Sequence, residues 1–318
     1  MLKATYIPED LKTSVFILLP KKPRAIDCSE YRTISLMCHV LKLLLTVIHR
    51  RIAKKIDREV SEQQAGFRKE SGTREAIFNL KILAEKHIEM QKDIYACFID
   101  YSKAFDSVKH NELIQAMQKT DIDSNDIALI SHLYWTQKTK IRIGNELSND
   151  VDIKKGVRQG CVLSPSLFNL YTEYIFREID TVPGLKINGE NINNLRYADD
   201  TVLLAESQND LQNLVTIIEE HSGKYGLLMN VKKTKVMVIS KKEPPKTEIK
   251  VKGKSIEQID QFVYLGQLIT TDGRSDSEIK RRITIAKNAF SKYSQILTNK
   301  RVIERPCRED RFGRNKRR

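Results

Sequence analysis

Cysteine is scarce in this chain and follows no recognisable pattern. The 318 residues contain five cysteines with no C-x-x-C or histidine-paired spacing: Cys28, Cys38, Cys97, Cys161 and Cys307. An odd and unpatterned set predicts neither a disulfide framework nor a zinc site. We therefore expect reduced, mostly buried thiols in an intracellular protein, located in the nucleus or the cytoplasm and not secreted.

Long apolar runs and a secretory leader are also missing. The most apolar segment, a helix predicted over residues 35–56, is interrupted by histidine, lysine and arginine residues. No run approaches the roughly 18 apolar residues that a membrane-spanning helix needs. The chain opens with Met1-Leu2-Lys3 and not with an apolar core. The sequence thus predicts no signal peptide and no membrane partner.

Positive charge is what the chain has in excess. Its formal net charge is +14, and its hydrophobic content of 40% in 318 residues suffices for a buried core and two or three lobes. Residues 300–318 hold nine basic and three acidic residues and supply +6 of that charge. We predict that this tail is disordered and adhesive. The excess favours a polyanionic partner, because basic surfaces release counterions condensed on phosphate backbones, although many other soluble proteins are basic too.

Three acidic residues stand at the ends of predicted strands. Asp199 and Asp200 lie between two β-prone segments, residues 194–196 and 201–204. Side chains alternate along a strand, so neighbouring acids reach the same side only where a tight turn interrupts the alternation. Asp100 directly follows a further apolar, β-prone run. An Asp-Asp pair in a polar turn is common by itself, but three clustered carboxylates would suit a two-metal phosphoryl-transfer site.

Three segments then resemble, in order and spacing, the core motifs of a reverse transcriptase: Phe98–Asp106, Gly156–Pro165 and Tyr197–Asp200. The chain resembles more specifically the polymerase region of non-LTR (LINE-like) retrotransposons. Further segments resemble the fingers motifs and the two later palm motifs of that family, namely Ile17–Lys22, Tyr31–Leu36, Gln64–Arg68, Gly226–Lys235 and Phe262–Gly266. Each motif is weak alone, but their order across nearly the whole chain is very specific.

The resemblance implies an α+β fold, a right-hand polymerase core with an antiparallel-sheet palm backed by helices, fingers and a partial thumb helix. We predict fingers in residues 1–95 and a palm in residues 96–270, with a fingers-like insertion near 118–155. A partial thumb helix is predicted in residues 271–299, before the tail of residues 300–318. Apolar residues in Asp276–Leu297 recur every three or four positions opposite a basic face. Spacing alone leaves open a merely solvated face, and the resemblance favours a thumb helix along nucleic acid.

The resemblance also assigns the catalytic residues. Asp100 and Asp199 match the ligands of two Mg²⁺ ions, for which Mn²⁺ is a possible substitute, and Asp200 matches a less stringent acid beside them. The main-chain carbonyl of Tyr101 would add an oxygen ligand. Lys233 matches a lysine that protonates the leaving pyrophosphate, with Lys232 and Lys235 as alternative assignments. The implied partners are an RNA template, a DNA primer and deoxynucleoside triphosphates; the sequence identifies no protein partner.

Substrate-binding residues follow from the same motifs: Arg68, Tyr101, Phe105, Gln159, Gly160 and Tyr197. Phe105 would lie beneath the incoming sugar and exclude a 2′-hydroxyl, although it could also be an ordinary core phenylalanine. Gln159 and Gly160 would pack against the nascent base pair, and Arg68 would bind the triphosphate, with Lys69 and Arg74 as weaker candidates. The adjacent Arg158 could be a solvated loop charge, and Asp106 is expected to cap a helix. A hairpin is predicted to contact the primer end through Phe262, Tyr264, Leu265 and Gly266.

The predicted function is RNA-directed DNA synthesis in the manner of a non-LTR retrotransposon enzyme. Family parts beyond the polymerase core have no counterpart in these residues, so we expect a truncated copy whose processive synthesis is in doubt. One alternative is a non-catalytic remnant that binds nucleic acid. Another is an intron-encoded enzyme that also helps RNA to fold. The intact acids argue against the remnant, and the lack of a further RNA-binding domain argues against the intron-encoded enzyme.

Overall fold

A computed structural model gives the fold, and the structure describes residues 8–298. The tail of residues 300–318, predicted above to be disordered, lies outside the described residues. In the described chain, residues 8–260 and 271–273 form one compact unit, and residues 261–270 and 274–298 form a second. No helix within residues 8–298 has the length and apolar character needed to cross a bilayer.

Runs of helices and runs of short strands make up the described chain. The helices are α1 Glu9–Lys12, α2 His39–Glu59, α3 Thr73–Glu89, α4 Ala104–Ser107, α5 His110–Gln118, α6 Ser124–Trp135, α7 Ser164–Phe176, α8 Gln208–Lys224 and α9 Asp276–Leu297. The strands are β1 Thr13–Pro20, β2 Tyr31–Leu36, β3 Ile94–Ile99, β4 Lys138–Ile143, β5 Glu146–Leu147, β6 Val151–Asp152, β7 Leu185–Ile187, β8 Glu190–Ile192, β9 Asn194–Tyr197, β10 Asp200–Ala205, β11 Lys235–Ile239, β12 Lys250–Val251, β13 Lys254–Ser255, β14 Glu257–Gln258, β15 Gln261–Tyr264 and β16 Gln267–Thr270.

The central sheet of the first unit has the strand order β14-β11-β3-β10-β9. Its middle strand β3 pairs antiparallel with both neighbours, with Ile99 opposite Thr201 and Phe98 opposite Lys235. The strands β3, β10 and β11 are almost entirely buried, and α8 packs against β3 and β10. Continuous apolar strands need cover on both faces, which explains why helices back this sheet. The predicted α+β class, with an antiparallel-dominated sheet backed by helices, is thereby confirmed.

A second sheet of the same unit is built from β1, β2, β4, β5 and β6. The strand β1 pairs antiparallel with β2 and parallel with β4, so residues near 118–155 contribute strands to the sheet that residues 13–36 begin. The predicted start of the following helix at residue 35 is wrong. Leu36 still pairs with Val15, and α2 begins only at His39. Register with a neighbouring strand thus outweighs the helical apolar pattern of the local sequence.

The second unit consists of the hairpin β15-β16 and the helix α9. The hairpin turn has Leu265 and Gly266 at positive φ angles of 47° and 83°. The Glu278 carboxylate accepts hydrogen bonds from the Leu268 amide at 3.0 Å and from Arg281 Nε at 2.7 Å. Arg281 Nη2 in turn donates to the Gly266 carbonyl at 2.7 Å. These bonds explain why the hairpin, predicted to end the palm, groups with the thumb-like helix.

Candidate active site

The Asp199-Asp200 segment forms the tight turn between β9 and β10. Tyr197 pairs with Asp200 across the hairpin, so Ala198 and Asp199 are the turn residues. Ala198 adopts a left-handed φ of 57°, which a residue with a Cβ rarely takes. Such a conformation costs about 1–3 kcal/mol and persists only where surrounding contacts hold it. The turn places the Asp199 side chain in a half-buried position and leaves Asp200 exposed.

Asp100 continues β3 towards the same turn. Because Ile99 pairs with Thr201, the next position on each strand brings Asp100 beside Asp200. Main-chain bonds fix Asp100: its carbonyl accepts from the Asn230 amide at 2.8 Å, and its amide donates to Thr234 Oγ1 at 3.3 Å. Asp100 and Asp199 both line one cleft of about 1100 Å³. The structure therefore brings two of the three predicted acids to a shared cavity.

The three carboxylates influence one another electrostatically. Burial raises the pKa of Asp199, the charge of Asp100 raises it further, and Arg32 opposes the shift. Burial, followed by the charges of Asp199 and Asp100, raises the pKa of Asp200 to about 6. By solvent-accessible area Asp200 is exposed, so solvent screens its interaction with the other two carboxylates. Neighbouring carboxylates repel one another, and a cation in the cleft would relieve the repulsion.

A metal-binding role for Asp200 beside Asp100 and Asp199 stays a prediction. Asp200 is not among the residues that line the cleft. Within residues 8–298, no three histidine, cysteine, aspartate or glutamate side chains are grouped closely enough to enclose an ion. Mg²⁺ usually keeps several waters and takes one or two protein carboxylates together with substrate phosphates. The pair Asp100 and Asp199, with the main chain of Tyr101 in the same cleft, fits that mode of binding.

Lys233 lies beside the acids. Its Nζ is 3.8 Å from Asp100 Oδ2, and it lines the cleft. The alternative Lys235 is paired with Glu257 at 2.6 Å and donates to the Lys232 carbonyl at 2.7 Å. Neither Lys232 nor Lys235 is among the residues lining the cleft. Of the three candidate lysines, the geometry favours Lys233.

Aromatic rings form one wall of the cleft. Phe105 stacks on Phe168, with ring centroids 4.2 Å apart and planes 11° from parallel. Phe67 meets Phe105 edge-on at 6.4 Å and Tyr197 at 6.2 Å. Phe67 and Phe105 line the cleft. Tyr197 does not line it, and its ring lies against that of Phe67. Stacking holds the Phe105 ring in a fixed position at the cavity surface.

Gln159 and Gly160 also line the cleft. Gly160 has a φ of +97°, which disfavours any residue with a Cβ. Gln159 Nε2 donates to Asp106 Oδ1 at 3.1 Å, and burial raises the pKa of Asp106. Asp106 lies inside α4, and the N-cap of the next helix, α5, is Lys109, so the expected capping role is wrong. Arg158 is buried and donates to Gln137 at 2.9 Å, and is therefore not a solvated loop charge.

The structure does not place Arg68 where the resemblance implied. Its Nε pairs with Asp57 at 2.8 Å, and its Nη1 donates to the Ser61 carbonyl at 2.8 Å. Arg68 lines a separate cavity and not the cleft of Asp100 and Asp199. Lys21, which directly follows β1, and Arg32, which belongs to β2, line that cleft instead. Sequence reasoning missed both, although the motifs Ile17–Lys22 and Tyr31–Leu36 contain them.

The predicted primer-contacting residues lie in the second unit. Phe262 and Tyr264 belong to β15, and Leu265 and Gly266 form the turn that follows. The Gly266 carbonyl accepts bonds from Arg281 at 2.7 Å and from Arg282 at 2.9 Å. Contact with a primer stays a prediction for these four residues.

Comparison with known proteins gives one family. Residues 19–269 match the reverse transcriptase (RNA-dependent DNA polymerase) family. A Pol polyprotein of the type-1 retrotransposable element R2 from Nasonia vitripennis is 30% identical over 262 residues, covering 82% of this chain and 25% of that protein. The RNA-directed DNA polymerase of the mobile element jockey from Drosophila funebris is 25% identical over 299 residues, covering 91% of this chain and 32% of that protein. The chain thus spans about a quarter to a third of these relatives.

Solved structures agree on the fold. Apo telomerase from Candida tropicalis, truncated from its C-terminal domain, superposes with a TM-score of 0.58 at 13% identity, covering 84% of this chain and 55% of that chain. Telomerase from Candida albicans superposes with a TM-score of 0.56 at 13% identity, covering 84% of this chain and 47% of that chain. Identity this low shows the fold alone. With the family match over residues 19–269, the chain belongs to the reverse transcriptase (RNA-dependent DNA polymerase) family and is a reverse transcriptase region of the non-LTR retrotransposon type.

Proposed function

We propose that this chain synthesises DNA on an RNA template by extending a DNA primer with deoxynucleoside triphosphates. One observation carries the proposal: Asp100 and Asp199 come from distant segments to a single cleft, which Phe105, Gln159 and Lys233 also line. Family membership supports the reaction class. Because deoxynucleoside triphosphates are cellular metabolites, we also place the protein inside the cell.

The reaction joins the primer 3′-oxygen to the α-phosphorus of the nucleotide and breaks the bond to the β-phosphate. Two Mg²⁺ ions, or Mn²⁺ in their place, would lower the pKa of the 3′-hydroxyl and neutralise phosphate charge when held by Asp100 and Asp199. The negative charge of Asp200 contributes to the electrostatic field in the cleft. Lys233 supplies a proton to the departing pyrophosphate.

The remaining cleft residues bind and orient the nucleotide. Lys21 and Arg32 provide the cations that face the triphosphate in place of Arg68. Phe105 supports the sugar and excludes a 2′-hydroxyl. Gln159 and Gly160 pack against the nascent base pair.

The domain division is proposed along the same lines. The sheet of β1, β2, β4, β5 and β6 with the helices α2 and α3 forms the fingers, and the central sheet forms the palm. The hairpin β15-β16 and α9 together form a primer-contacting and thumb-like element. This grouping moves residues 261–270 from the predicted palm to the thumb-like element, because they form one compact unit with α9.

Primer extension by the purified chain tests the proposal. A labelled DNA primer on an RNA template, supplied with deoxynucleoside triphosphates and Mg²⁺, should be extended. Asp199→Asn should abolish extension and retain template-primer binding, because the carboxylate takes part in the reaction and not in nucleic-acid binding. Binding without extension by the unaltered chain would instead identify a non-catalytic remnant.

A further inference from the structure

The segment that directly precedes Phe67 contacts the turn formed by Ala198 and Asp199. The Gln64 side chain is 1% exposed and lies 134 positions away from Ala198 in sequence. Gln64 Oε1 accepts from the Ala198 amide at 2.9 Å, and Gln64 Nε2 is 3.4 Å from the Ala198 carbonyl oxygen. One side chain therefore satisfies both polar groups of the peptide units at Ala198. Ala198 is also the turn residue with the unfavourable left-handed φ.

Gly66 allows this approach. A Cβ at position 66 would collide with the Ala198 amide nitrogen and come within 2.9 Å of the Tyr197 carbonyl carbon. Its own amide donates to Gln64 Oε1 at 2.8 Å, which fixes the Gln64 amide group from the other side. Asn169 of α7 donates to the Gly66 carbonyl at 2.7 Å. The φ of Gly66 is not in the left-handed region, so glycine is required here because of the close contact and not because of the backbone conformation.

Main-chain bonds align the same segment with β9. The Ala65 amide donates to the Arg196 carbonyl at 2.8 Å, and the Arg196 amide donates to the Gln63 carbonyl at 2.8 Å. Gln64 and Arg196 form a parallel β-bridge. Because β9 is an edge strand of the central sheet, these bonds at Arg196 cover its free edge three residues before Asp199. We call Gln64, Ala65 and Gly66 the clasp.

We propose that the clasp is a positioning element that holds Ala198 in its left-handed conformation and thereby aims the Asp199 carboxylate into the cleft. Gln64 and Gly66 are positioning residues and touch no substrate. The expected change in turnover rests on the proposed function, whereas the contacts that hold Ala198 do not depend on it. A misplacement of about 1 Å at a reacting group can lower a rate about 100-fold, so a loosened turn should lower turnover.

Two substitutions loosen the contact from opposite sides. Gln64→Met keeps the side-chain length and removes both polar atoms, and Gly66→Ala leaves Gln64 intact but crowds the Ala198 amide. Each should lower kcat by about 10- to 100-fold, the usual effect of losing a residue that orients a metal ligand. The KM for deoxynucleoside triphosphate should change by less than about 3-fold, because the residues that bind the nucleotide are untouched.

Gln63→Met is the matched control. It makes the same replacement one position earlier, where the side chain bonds to Ser61 and not to the turn. Its kcat should equal that of the unaltered chain. Thermal unfolding of all variants should show that each is folded at the assay temperature.

A rescue separates positioning from general structural support. Glycine takes a left-handed φ without strain, so Ala198→Gly should need less help from Gln64. Added to Gln64→Met, it should restore kcat by about 5-fold, the factor that corresponds to relieving about 1 kcal/mol of strain. A substitution that merely weakened the fold would not be rescued by a more flexible residue.

Binding of Mn²⁺ alone, followed by electron paramagnetic resonance without nucleic acid, gives a readout independent of activity. The dissociation constant should rise about 10-fold in Gln64→Met and in Gly66→Ala and stay unchanged in Gln63→Met. Failure of the unaltered chain to extend a primer would reject the proposed function, while the Mn²⁺ comparison would still decide about the clasp. Unchanged kcat and Mn²⁺ affinity in folded Gln64→Met, or no restoration by Ala198→Gly, would overturn the inference.

Discussion

Replacing Glu173 by glutamine should destabilise the first compact unit by about 3 kcal/mol. Arg196 lies on β9 just before the turn at Asp199, and its side chain is 1% exposed. Its Nη2 is 3.0 Å from Oε2 of Glu173, which is 4% exposed. Arg196 Nε and Nη1 have no hydrogen-bond partner within the described chain. Burial lowers the pKa of Arg196 and the Glu173 charge raises it again, so Glu173 is what makes the buried guanidinium tolerable.

The magnitude follows from which group is left unpaired. Removing one partner of a buried ion pair costs about 3–5 kcal/mol, because the other charge stays buried. Glutamine keeps an acceptor oxygen, which sets the expectation at the lower end. The reverse change, Arg196→Met, should cost less, since Glu173 retains Arg177 at 3.8 Å and that side chain is partly solvated. The double variant Glu173→Leu with Arg196→Met removes both charges and should be more stable than Glu173→Gln alone.

Urea unfolding measures these differences. The chain has a single tryptophan, Trp135 at the end of α6, so its fluorescence reports on the first unit. Glu178→Gln is the control, because Glu178 is exposed and its partner His221 is 3.7 Å away. That variant should lie within about 0.5 kcal/mol of the unaltered chain. Two results would refute the reasoning: a free energy of unfolding for Glu173→Gln within about 1 kcal/mol of that of the unaltered chain, or a double variant less stable than Glu173→Gln.

Three further predictions concern the cleft and the charge of the chain. Phe105→Val should lower discrimination against ribonucleotides by at least about 10-fold in primer extension and leave deoxyribonucleotide use intact; unchanged discrimination would make Phe105 a core residue. Without metal, the folded pKa of Asp200, about 6, lies above its ordinary value of 3.8, so the folded state holds the extra proton and stability should fall as pH rises between these values. Asp200→Asn should make that slope shallower in urea unfolding at a series of pH values, because the raised pKa of Asp199 still contributes to it, and an unchanged slope would contradict the assignment. Template-primer binding should weaken with salt by a log-log slope of about 0.7–0.9 per neutralised phosphate, and deleting residues 300–318, which carry +6, should flatten the slope; an equal slope would place the contacts elsewhere.

Several features of the site could be predicted because they depend on local pattern. The turn at Asp199 and the strand that ends before Asp100 follow from short β-prone runs and the residues that interrupt them. The helix Asp276–Leu297 coincides with the apolar pattern found inside the predicted thumb region of residues 271–299, because three-and-four spacing of apolar residues is a property of the helix itself. Motif order then indicated the family before any tertiary contact was known.

The partners of side chains were decided only by the tertiary structure. Arg68 pairs with Asp57, Arg158 is buried against Gln137, and Gln64 bonds to Ala198, and no local pattern distinguishes these three polar residues from solvated ones. Their environments depend on the register of strands and on packing between segments that lie from 11 to 134 positions apart. A side chain's hydrogen-bonding partners are set by what the fold brings within about 3 Å, whereas sequence periodicity fixes only the face on which it starts.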